Sequence, residues 1–314
     1  MKKAASAIRK RSSRAMRINR CFQNKNIRCI AFDLDRTLLR PDGSLSPRTR
    51  QALCDAAERG IALAAVSGRP FCALPKEVLS LPGLSYAAVS NGAAVYEKGS
   101  RIYSRVLDAA DVDVILQMTR DLYVSGKLAY EVFADGSAFA EEEFLNRLEE
   151  FGFSESGIAY TRATRRAAAD IFVFTEKNKT RIDSLDLIMK PEIHPAGQNP
   201  DPGDSWRTVF GNLQERLPGV YVTSFMDGRI ELSHRSANKA DALKFILDRL
   251  HLSAENCIAF GDGENDAGLL GFAGTGIAVA NAAPACREAA DYICPSCGED
   301  GAAQVIEELL KQMK

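Results

Sequence analysis

Short apolar runs separated by polar and amphipathic stretches recur along this chain. The runs are four to six residues long and rich in Ala, Val, Ile and Phe, which is typical of strands buried on both faces; they are 27–32, 61–66, 86–89, 257–261 and 276–280. Apolar residues at helical spacing or helix boundary signals predict helices between and beyond them; these are 48–59, 70–79, 236–250, 267–272 and 299–313. Strands that alternate with helices predict a parallel sheet covered on both faces, so we predict an α/β fold.

The middle of the chain, about 107–233, has a different pattern. Short alternating strands and tight turns replace the buried runs; the predicted elements are a strand at 130–133, turns at Asp135-Gly136 and Asp227-Gly228, and helices at 108–125 and 206–216. A Pro-rich stretch at 191–202 is predicted to be a surface loop. This pattern predicts an inserted α/β domain.

The predicted organisation is therefore a Rossmann-like parallel-sheet core that is interrupted by the insert. Residues 27–106 and 234–314 form the core, 107–233 form the insert, and 1–26 form a basic tail. The first 20 residues hold eight of the 40 basic side chains and no acid. We expect a disordered extension or an upstream start codon here. An Arg-rich targeting peptide and a nucleic-acid arm remain alternatives.

Composition limits the class of protein. With 46% hydrophobic residues among 314, the chain can bury a large core and is long enough for two domains. Its apolar stretches are too short to cross a bilayer, so no membrane partner is expected. Beyond the first 20 residues the chain has 32 basic and 41 acidic residues, which argues against nucleic acid as a partner. We expect a cytoplasmic protein that is a monomer or a weak homodimer.

The eight cysteines fit the same compartment. Several lie in apolar runs, as small buried residues do in a reducing cytoplasm. Cys294 and Cys297 have the Cys-x-x-Cys spacing of a redox pair or half a zinc site. Because no second pair lies nearby and the chain has three His, we interpret this segment as a loop.

Two carboxylates follow the first predicted strand. Side chains at positions i and i+2 of a strand point the same way, so Asp33 and Asp35 would share one face if the strand continued. The carboxyl ends of such strands form the ligand crevices of open α/β sheets. A divalent cation or a shared proton would relieve the repulsion of the pair. An ordinary strand-end turn is the alternative.

Three further segments carry candidate chemistry. Ser67-Gly68 ends the second strand and could offer a hydroxyl and a backbone N–H to a phosphate oxygen. Lys239 opens a helix that Ser236 or Asn238 would cap, where a cation opposes the helix dipole. Asp262, Asn265 and Asp266 follow a buried strand in a Gly-rich loop, which suggests a hard cation held by oxygen ligands.

These segments, in this order, resemble the haloacid dehalogenase superfamily of phosphatases, and within it the Cof-like subfamily. The resemblance rests on Asp33-x-Asp35-x-Thr37, on Ser67-Gly68-Arg69, on the helix-borne Lys239, and on Gly261-Asp262-x-x-Asn265-Asp266. Further segments of the subfamily follow in the same order; they are 90–93, 276–282, 290–292 and 299–301. Together they extend over nearly the whole chain from Ile27 onward.

The resemblance implies a Mg²⁺-dependent phosphatase of small phosphorylated metabolites, such as sugar phosphates, pyridoxal phosphate or flavin mononucleotide. Asp33 is the implied nucleophile, which becomes an aspartyl-phosphate, and Asp35 the implied general acid and base. The implied magnesium ligands are Asp33, the Asp35 carbonyl, Asp262 and, through water, Asp266. The implied phosphate-binding groups are Ser67, Gly68, Lys239 and Asn265. The insert is the implied cap, which sets specificity.

The chain departs from the family at several positions. Arg36 replaces a usual Gly, Ala240 a Gly, Leu269 a Met and Cys294 a Thr, and none of these removes a group that the chemistry uses. Two other functions therefore stay open. One is a phosphomutase or phosphotransferase of the same superfamily, and the other is an inactive sugar-phosphate sensor. Among residues that could touch substrate, Arg36 and Arg69 are favoured over Glu131, Asp135 and Arg207, which are expected to be solvated.

Overall fold

The computed structural model describes Phe22, residues 25–191 and residues 206–313, and the chain forms two compact units. The first unit contains the described residues up to 67, residues 75–102 and those from 238 onward. The second contains 68–74 and the described part of 103–237. Residues 1–21 of the predicted tail and nearly all of the predicted Pro-rich loop lie outside the described residues. The roles of core and cap stay predictions.

The first unit is built on an eight-stranded sheet. Its strands are β1 (Cys29–Phe32), β2 (Ala62–Val66), β3 (Leu84–Val89), β4 (Ala94–Glu97), β5 (Ser100–Ser104), β12 (Cys257–Gly261), β13 (Thr275–Val279) and β14 (Tyr292–Cys294). The order across the sheet is β14-β13-β12-β1-β2-β3-β4-β5. From β14 to β3 all neighbours are parallel, and β4 pairs antiparallel with β3. The predicted α/β fold with a parallel core sheet is confirmed.

Helices connect these strands. They are α1 (Pro47–Glu58), α2 (Lys76–Leu79), α8 (Lys239–Arg249), α9 (Ala267–Phe272), α10 (Pro284–Ala289) and α11 (Gly301–Gln312). Ser46 caps α1 by accepting from the Thr49 amide, and Pro47 occupies the first helical position, where its missing N–H costs nothing. The predicted helix up to Leu79 was wrong in extent, because a one-turn helix at Phe71–Ala73 and the four-residue α2 take its place. Pro75 lies between them and interrupts the helix.

The second unit has a six-stranded sheet. Its strands are β6 (Leu128–Ala134), β7 (Ser137–Glu141), β8 (Arg165–Ala168), β9 (Ile182–Met189), β10 (Val220–Met226) and β11 (Arg229–His234). They lie in the order β10-β11-β9-β6-β7-β8. Its helices are α3 (Ala109–Val124), α4 (Glu142–Asn146), α5 (Glu155–Thr164), α6 (Ile171–Asn178) and α7 (Trp206–Arg216).

The two faces of this second sheet differ. One face packs against α3, α6 and α7 through a large apolar core that includes Ile115, Ile171 and Leu213. The other face carries a smaller cluster around Phe144 and Phe151. Side chains alternate between the two faces along each strand, so the face with the smaller cluster can also carry polar side chains beside that cluster. No helix within the described residues is long and apolar enough to cross a membrane.

Candidate active site

The site lies in the first unit, where the strand order reverses. The strands β1, β2 and β3 follow one another toward one edge, whereas β12, β13 and β14 follow one another toward the other. The side chains that follow β1 and β12 therefore meet at a topological switch point, the usual ligand crevice of an open α/β sheet. Asp33 follows β1 directly and Asp262 follows β12.

A buried lysine joins two carboxylates at this point. Lys239 Nζ donates to Asp33 Oδ1 at 2.7 Å and to Asp266 Oδ1 at 2.6 Å. Lys239 is 2% exposed, Asp33 5% and Asp266 1%, so water screens these charges weakly. The three residues come from separate parts of the sequence, and this contact brings them together.

Burial and the neighbouring opposite charges shift the pKa values of Asp33 and Lys239 in opposite directions. Burial raises the pKa of Asp33 above its ordinary value; the Lys239 ammonium lowers it, and Asp266 and Asp262 raise it. For Lys239 burial lowers the pKa, but the attraction of Asp266 and Asp33 outweighs burial, so its pKa lies above the ordinary value. The ammonium therefore stays charged at neutral pH, while Asp33 needs further positive charge to remain fully ionised.

Asp262 is held from the loop that follows β1. Thr37 Oγ1 donates to Asp262 Oδ1 at 3.1 Å, and Arg36 Nε lies 3.9 Å from Asp262 Oδ2. The pKa of Asp262 is raised, first by burial and then by Asp266. Arg36 itself is 69% exposed at its side chain and has φ 57°, the left-handed region that favours Gly.

Asp266 shapes the loop in which it lies. Its Oδ2 accepts from the backbone N–H groups of Asp262, at 3.0 Å, and Gly263, at 2.9 Å. A Cβ at Gly261 would lie 2.5 Å from the Cβ of Asp266, so this position needs glycine for the loop to close. One carboxylate oxygen of Asp266 accepts from Lys239 and the other accepts from two backbone amides. Asp266 therefore mainly positions its neighbours.

The N-terminus of α8 aims Lys239. The Asn238 side chain accepts from the Asp241 N–H at 2.8 Å and caps the helix, as one of the two predicted caps. Gly92, with φ +94°, lies against the Asn238 backbone so closely that a Cβ there would clash with the Asn238 carbonyl. The turn after β3 thus fixes where α8 begins.

Two of the other predicted site residues, Ser67 and Asn265, lie in the first unit. Ser67 is buried at the end of β2, and its N–H donates to the Ala88 carbonyl at 2.9 Å. Asn265 is exposed and donates to Asn91 Oδ1 at 2.9 Å. Gly68 belongs to the second unit.

The first strand does not continue to Asp35, which was the condition for Asp33 and Asp35 to share one face. The strand ends at Phe32, so Asp33 is buried and Asp35 is exposed. Asp35 has extended backbone angles, and Arg36 then turns the chain into the left-handed region. The strand periodicity of two therefore does not carry past Asp33.

Several contacts were missed by the sequence analysis. Asn91 holds Asn265, and Asn281 Nδ2 donates to the Arg36 carbonyl at 2.8 Å while its Oδ1 accepts from the Cys297 N–H at 3.0 Å. Asn91 has φ 54°, and Asn tolerates this region better than most residues. Both asparagines lie in segments that supported the resemblance to the family, and this was the sequence feature that could have identified them. Cys294 and Cys297 are buried free thiols, and Cys294 ends β14 rather than lying in a loop.

In the second unit the expectation of solvated side chains holds for two residues and was wrong for Glu131. Asp135 pairs with Arg181, and Arg207 with Asp227 at 3.5 Å, all with exposed side chains. Glu131 is 3% exposed and accepts from both arms of the Arg165 guanidinium. Arg69 donates to the Ala73 carbonyl at 3.1 Å and lies over the Tyr160 ring.

The carboxylates can hold a metal ion. One oxygen from each of Asp33, Asp262 and Asp266 lies within 4.8 Å of the others. Three carboxylates against the single ammonium of Lys239 leave excess negative charge when ionised. Hard divalent cations prefer carboxylate oxygens, so this donor set fits such an ion.

Known proteins share this arrangement of sequence and fold. The haloacid dehalogenase-like hydrolase family matches residues 30–306. A putative bifunctional phosphatase/peptidyl-prolyl cis-trans isomerase of Streptococcus pyogenes is 27% identical over 92% of this chain, which spans 55% of that relative. The Bacillus subtilis 5-amino-6-(5-phospho-D-ribitylamino)uracil phosphatase YcsE is 24% identical over 90% of this chain and 96% of its own length.

A solved structure agrees with these matches. A haloacid dehalogenase-like hydrolase from Bacteroides thetaiotaomicron superposes with a TM-score of 0.71 and 25% identity, over 90% of this chain and 99% of its own. The matched range contains the four candidate motifs and both parts of the parallel sheet. This chain therefore belongs to the haloacid dehalogenase-like hydrolases.

Proposed function

We propose that this hydrolase is a Mg²⁺-dependent phosphatase of small phosphorylated metabolites that works through an aspartyl-phosphate on Asp33. The observation that carries the proposal is the buried Lys239 ammonium between Asp33 and Asp266, with Asp262 within metal-binding distance of both. A cation beside a nucleophilic carboxylate suits a reaction in which a negatively charged phosphoryl group arrives and leaves.

In the first step the Asp33 carboxylate attacks phosphorus, and a new O–P bond forms as the bond from phosphorus to the ester oxygen breaks. Asp35 donates its proton to that oxygen, and the alcohol leaves. In the second step Asp35 takes a proton from water, whose oxygen attacks the phosphorus. The Asp33 carboxylate is regenerated and inorganic phosphate is released.

Magnesium would be held by the Asp33 carboxylate, the Asp35 carbonyl and Asp262, with Asp266 acting through a water. When bound, Mg²⁺ supplies positive charge that keeps Asp33 ionised and stabilises charge on the transferring group. The raised pKa of Asp33, which burial causes despite Lys239, supports this need for a second cation.

The remaining phosphoryl oxygens would be bound by the Ser67 hydroxyl, the Gly68 N–H, Lys239 and Asn265. Ser67 and Asn265 lie in loops that follow β2 and β12, at the same edge of the sheet as Asp33. Positioned donors of this kind stabilise the transition state more than the ground state.

The names of two relatives support the proposed substrate class. One is a phosphatase of a ribitylamino-uracil phosphate, and others are named HMP-PP phosphatases. We infer a substrate of similar size, in the sugar-phosphate, pyridoxal-phosphate or flavin-mononucleotide class. The described cysteines are all free thiols, which supports a reducing compartment, and we propose the cytoplasm.

A panel of phosphate monoesters with Mg²⁺ tests the proposal. We expect wild type to release inorganic phosphate from several of them and Asp33→Asn, folded by circular dichroism, to release none. Labelled phosphate that appears on a sugar acceptor rather than free would indicate a phosphotransferase. Wild type that hydrolyses nothing in the panel would contradict the proposal and favour a sensor.

A further inference from the structure

Three acidic side chains lie side by side across the sheet of the second unit. Glu131 on β6 is paired with Asp186 on β9, and Asp186 with Glu231 on β11. Residues directly opposite on antiparallel strands have neighbouring side chains on one face. We call these three residues the acidic row. Strand alternation puts the row on the face of the smaller apolar cluster, because Ala129 and Ile188 of that cluster are two residues from Glu131 and Asp186.

This arrangement is costly for the fold. Like charges directly opposite one another in a sheet are destabilising. Asp186 has its pKa raised well above the ordinary value, first by burial, then by Glu231 and Glu131. Arg165 Nε and Nη2 donate to the two oxygens of Glu131 at 3.1 and 2.7 Å, and the charges of Arg165 and Arg229 offset the rise in the Asp186 pKa only in part.

The second guanidinium near the row has an unused donor. Arg229 is 8% exposed, and its Nη2 donates to the Phe151 carbonyl at 2.8 Å while the group lies 4.1 Å over the Phe153 ring. Its Nη1 has no hydrogen-bond partner among the described residues. Arg229 lies on β11 two residues from Glu231, on the same face of the sheet, and its guanidinium interacts electrostatically with Glu131 and Asp186, so the group lies beside the row.

The row and the donor together restrict the chemistry of a ligand. No described group donates a hydrogen bond to the Asp186 carboxyl, and that side chain is partly exposed. An anion would be repelled by the three carboxyls. An ammonium offers donors alone and would leave Arg229 Nη1 without an acceptor. A neutral hydroxyl donates and accepts at once, and so suits both groups.

We propose that Asp186 and Arg229, supported by Glu131 and Glu231, form a binding site for the adjacent hydroxyl groups of a neutral sugar or polyol. The hydroxyls belong either to the organic part of the substrate or to a separate unphosphorylated ligand. The first case rests on the proposed phosphatase function, whereas binding itself does not.

Thermal unfolding with D-mannitol, D-glucose and myo-inositol at millimolar concentration tests binding. We expect at least one of them to raise the unfolding temperature of wild type saturably, and Asp186→Asn to lose that response. Asp113→Asn, which removes an exposed carboxylate of the same unit that pairs with Lys179, is the matched control and should keep it. Without ligand, Asp186→Asn should be at least as stable as wild type, because the cost of placing a carboxyl between Glu131 and Glu231 is gone. Should this variant fail to fold, Glu231→Gln carries the same expectation.

Kinetics distinguish the two sources of the hydroxyls. If they belong to the substrate, Asp186→Asn should raise KM for D-mannitol 1-phosphate or D-glucose 6-phosphate by about tenfold or more and leave p-nitrophenyl phosphate unaffected. If the ligand is separate, free polyol still binds wild type and neither KM changes.

Two results would overturn the site. One is wild type whose unfolding temperature responds to none of the three compounds and whose KM values match those of Asp186→Asn. The other is an Asp186→Asn variant that responds to the compounds as wild type does. If wild type hydrolyses no ester, the proposed function is rejected. The unfolding experiment still tests whether the polyol binds.

Discussion

At Lys239 the protein buries a charged ammonium within 2.7 Å of two carboxylates. Taking such charges out of water costs several kcal/mol, which good geometry repays only in part. An apolar cluster of the same shape could stabilise the fold as well. The charges are therefore better explained by the proposed binding of a phosphoryl group than by stability.

Lys239→Ala should lower kcat/KM by about a hundredfold, with KM raised and kcat lowered, because one charged donor to the transferring group is lost. Steady-state kinetics on any substrate from the panel measures this. Lys244→Ala, on the exposed side of the same helix, is the control and should behave as wild type. Equal kinetics in the two variants would mean that Lys239 is structural only.

Arg36→Gly should stabilise the protein by about 1 kcal/mol, since Gly adopts the left-handed backbone without strain. The exposed ion pair with Asp262 that it loses is worth little. Arg36→Ala removes the same guanidinium but keeps the strain, so it should not gain stability. Denaturant unfolding measures the free energy of unfolding of the two variants. Equal values would exclude backbone strain at this position.

At the scale of elements, the loops at one edge of the first sheet hold one another in position through direct contacts. Asn91 reaches from the turn after β3 to Asn265, and Asn281 reaches from the segment after β13 to the Arg36 carbonyl. The turn at Gly92 supports the cap of α8. These contacts connect loops from different strands, so the site depends on the packing of the loops as much as on the charged residues.

Gly92→Ala should be destabilising by about 1–3 kcal/mol more than Gly99→Ala. Both positions have positive φ, at +94° and +83°, so both variants incur the same backbone strain. The new Cβ clashes with Asn238 in the first variant and meets nothing within 4 Å in the second. Gly92→Ala should also lose activity, because the start of α8 moves with Lys239. Equal effects of the two substitutions on unfolding and kinetics would reject this coupling.

At the scale of the whole molecule, the site combines residues 33–37, 239 and 261–266. Unfolding separates these segments, so an ion that binds their carboxylates together stabilises the folded chain. The same carboxylates repel each other when no ion is present.

Mg²⁺ should therefore raise the unfolding temperature of wild type, and a chelator should reverse the effect and abolish phosphatase activity. Asp262→Asn should gain much less from Mg²⁺, while it is at least as stable as wild type in chelator. Thermal unfolding with and without Mg²⁺ measures both. A rise of the same size in Asp262→Asn would place the ion elsewhere.

The sequence predicted the core elements of the first unit well because buried parallel strands have continuous apolar runs. Residues 267–272 were predicted as a helix and form α9 with the same bounds. The end of β1 at Phe32 and the turn of the chain at Arg36 were not predicted, because nothing in the local pattern shows them.

Contacts between distant segments were not predictable in the same way. The pairing of Asn91 with Asn265 depends on how two loops pack, and the acidic row depends on the register of three strands. Register within an insert of alternating strands is set by the whole sheet. Glu131 therefore looked like a solvated side chain, although it is buried beside Arg165.

The covalent role of Asp33 is the central claim, and mass spectrometry of acid-quenched enzyme tests it most directly. Wild type quenched during turnover with Mg²⁺ should carry one phosphoryl group on the peptide that contains Asp33, and Asp33→Asn should carry none. Steady turnover without any phosphorylated Asp33 peptide, or phosphorylation of another residue in both proteins, would contradict the account.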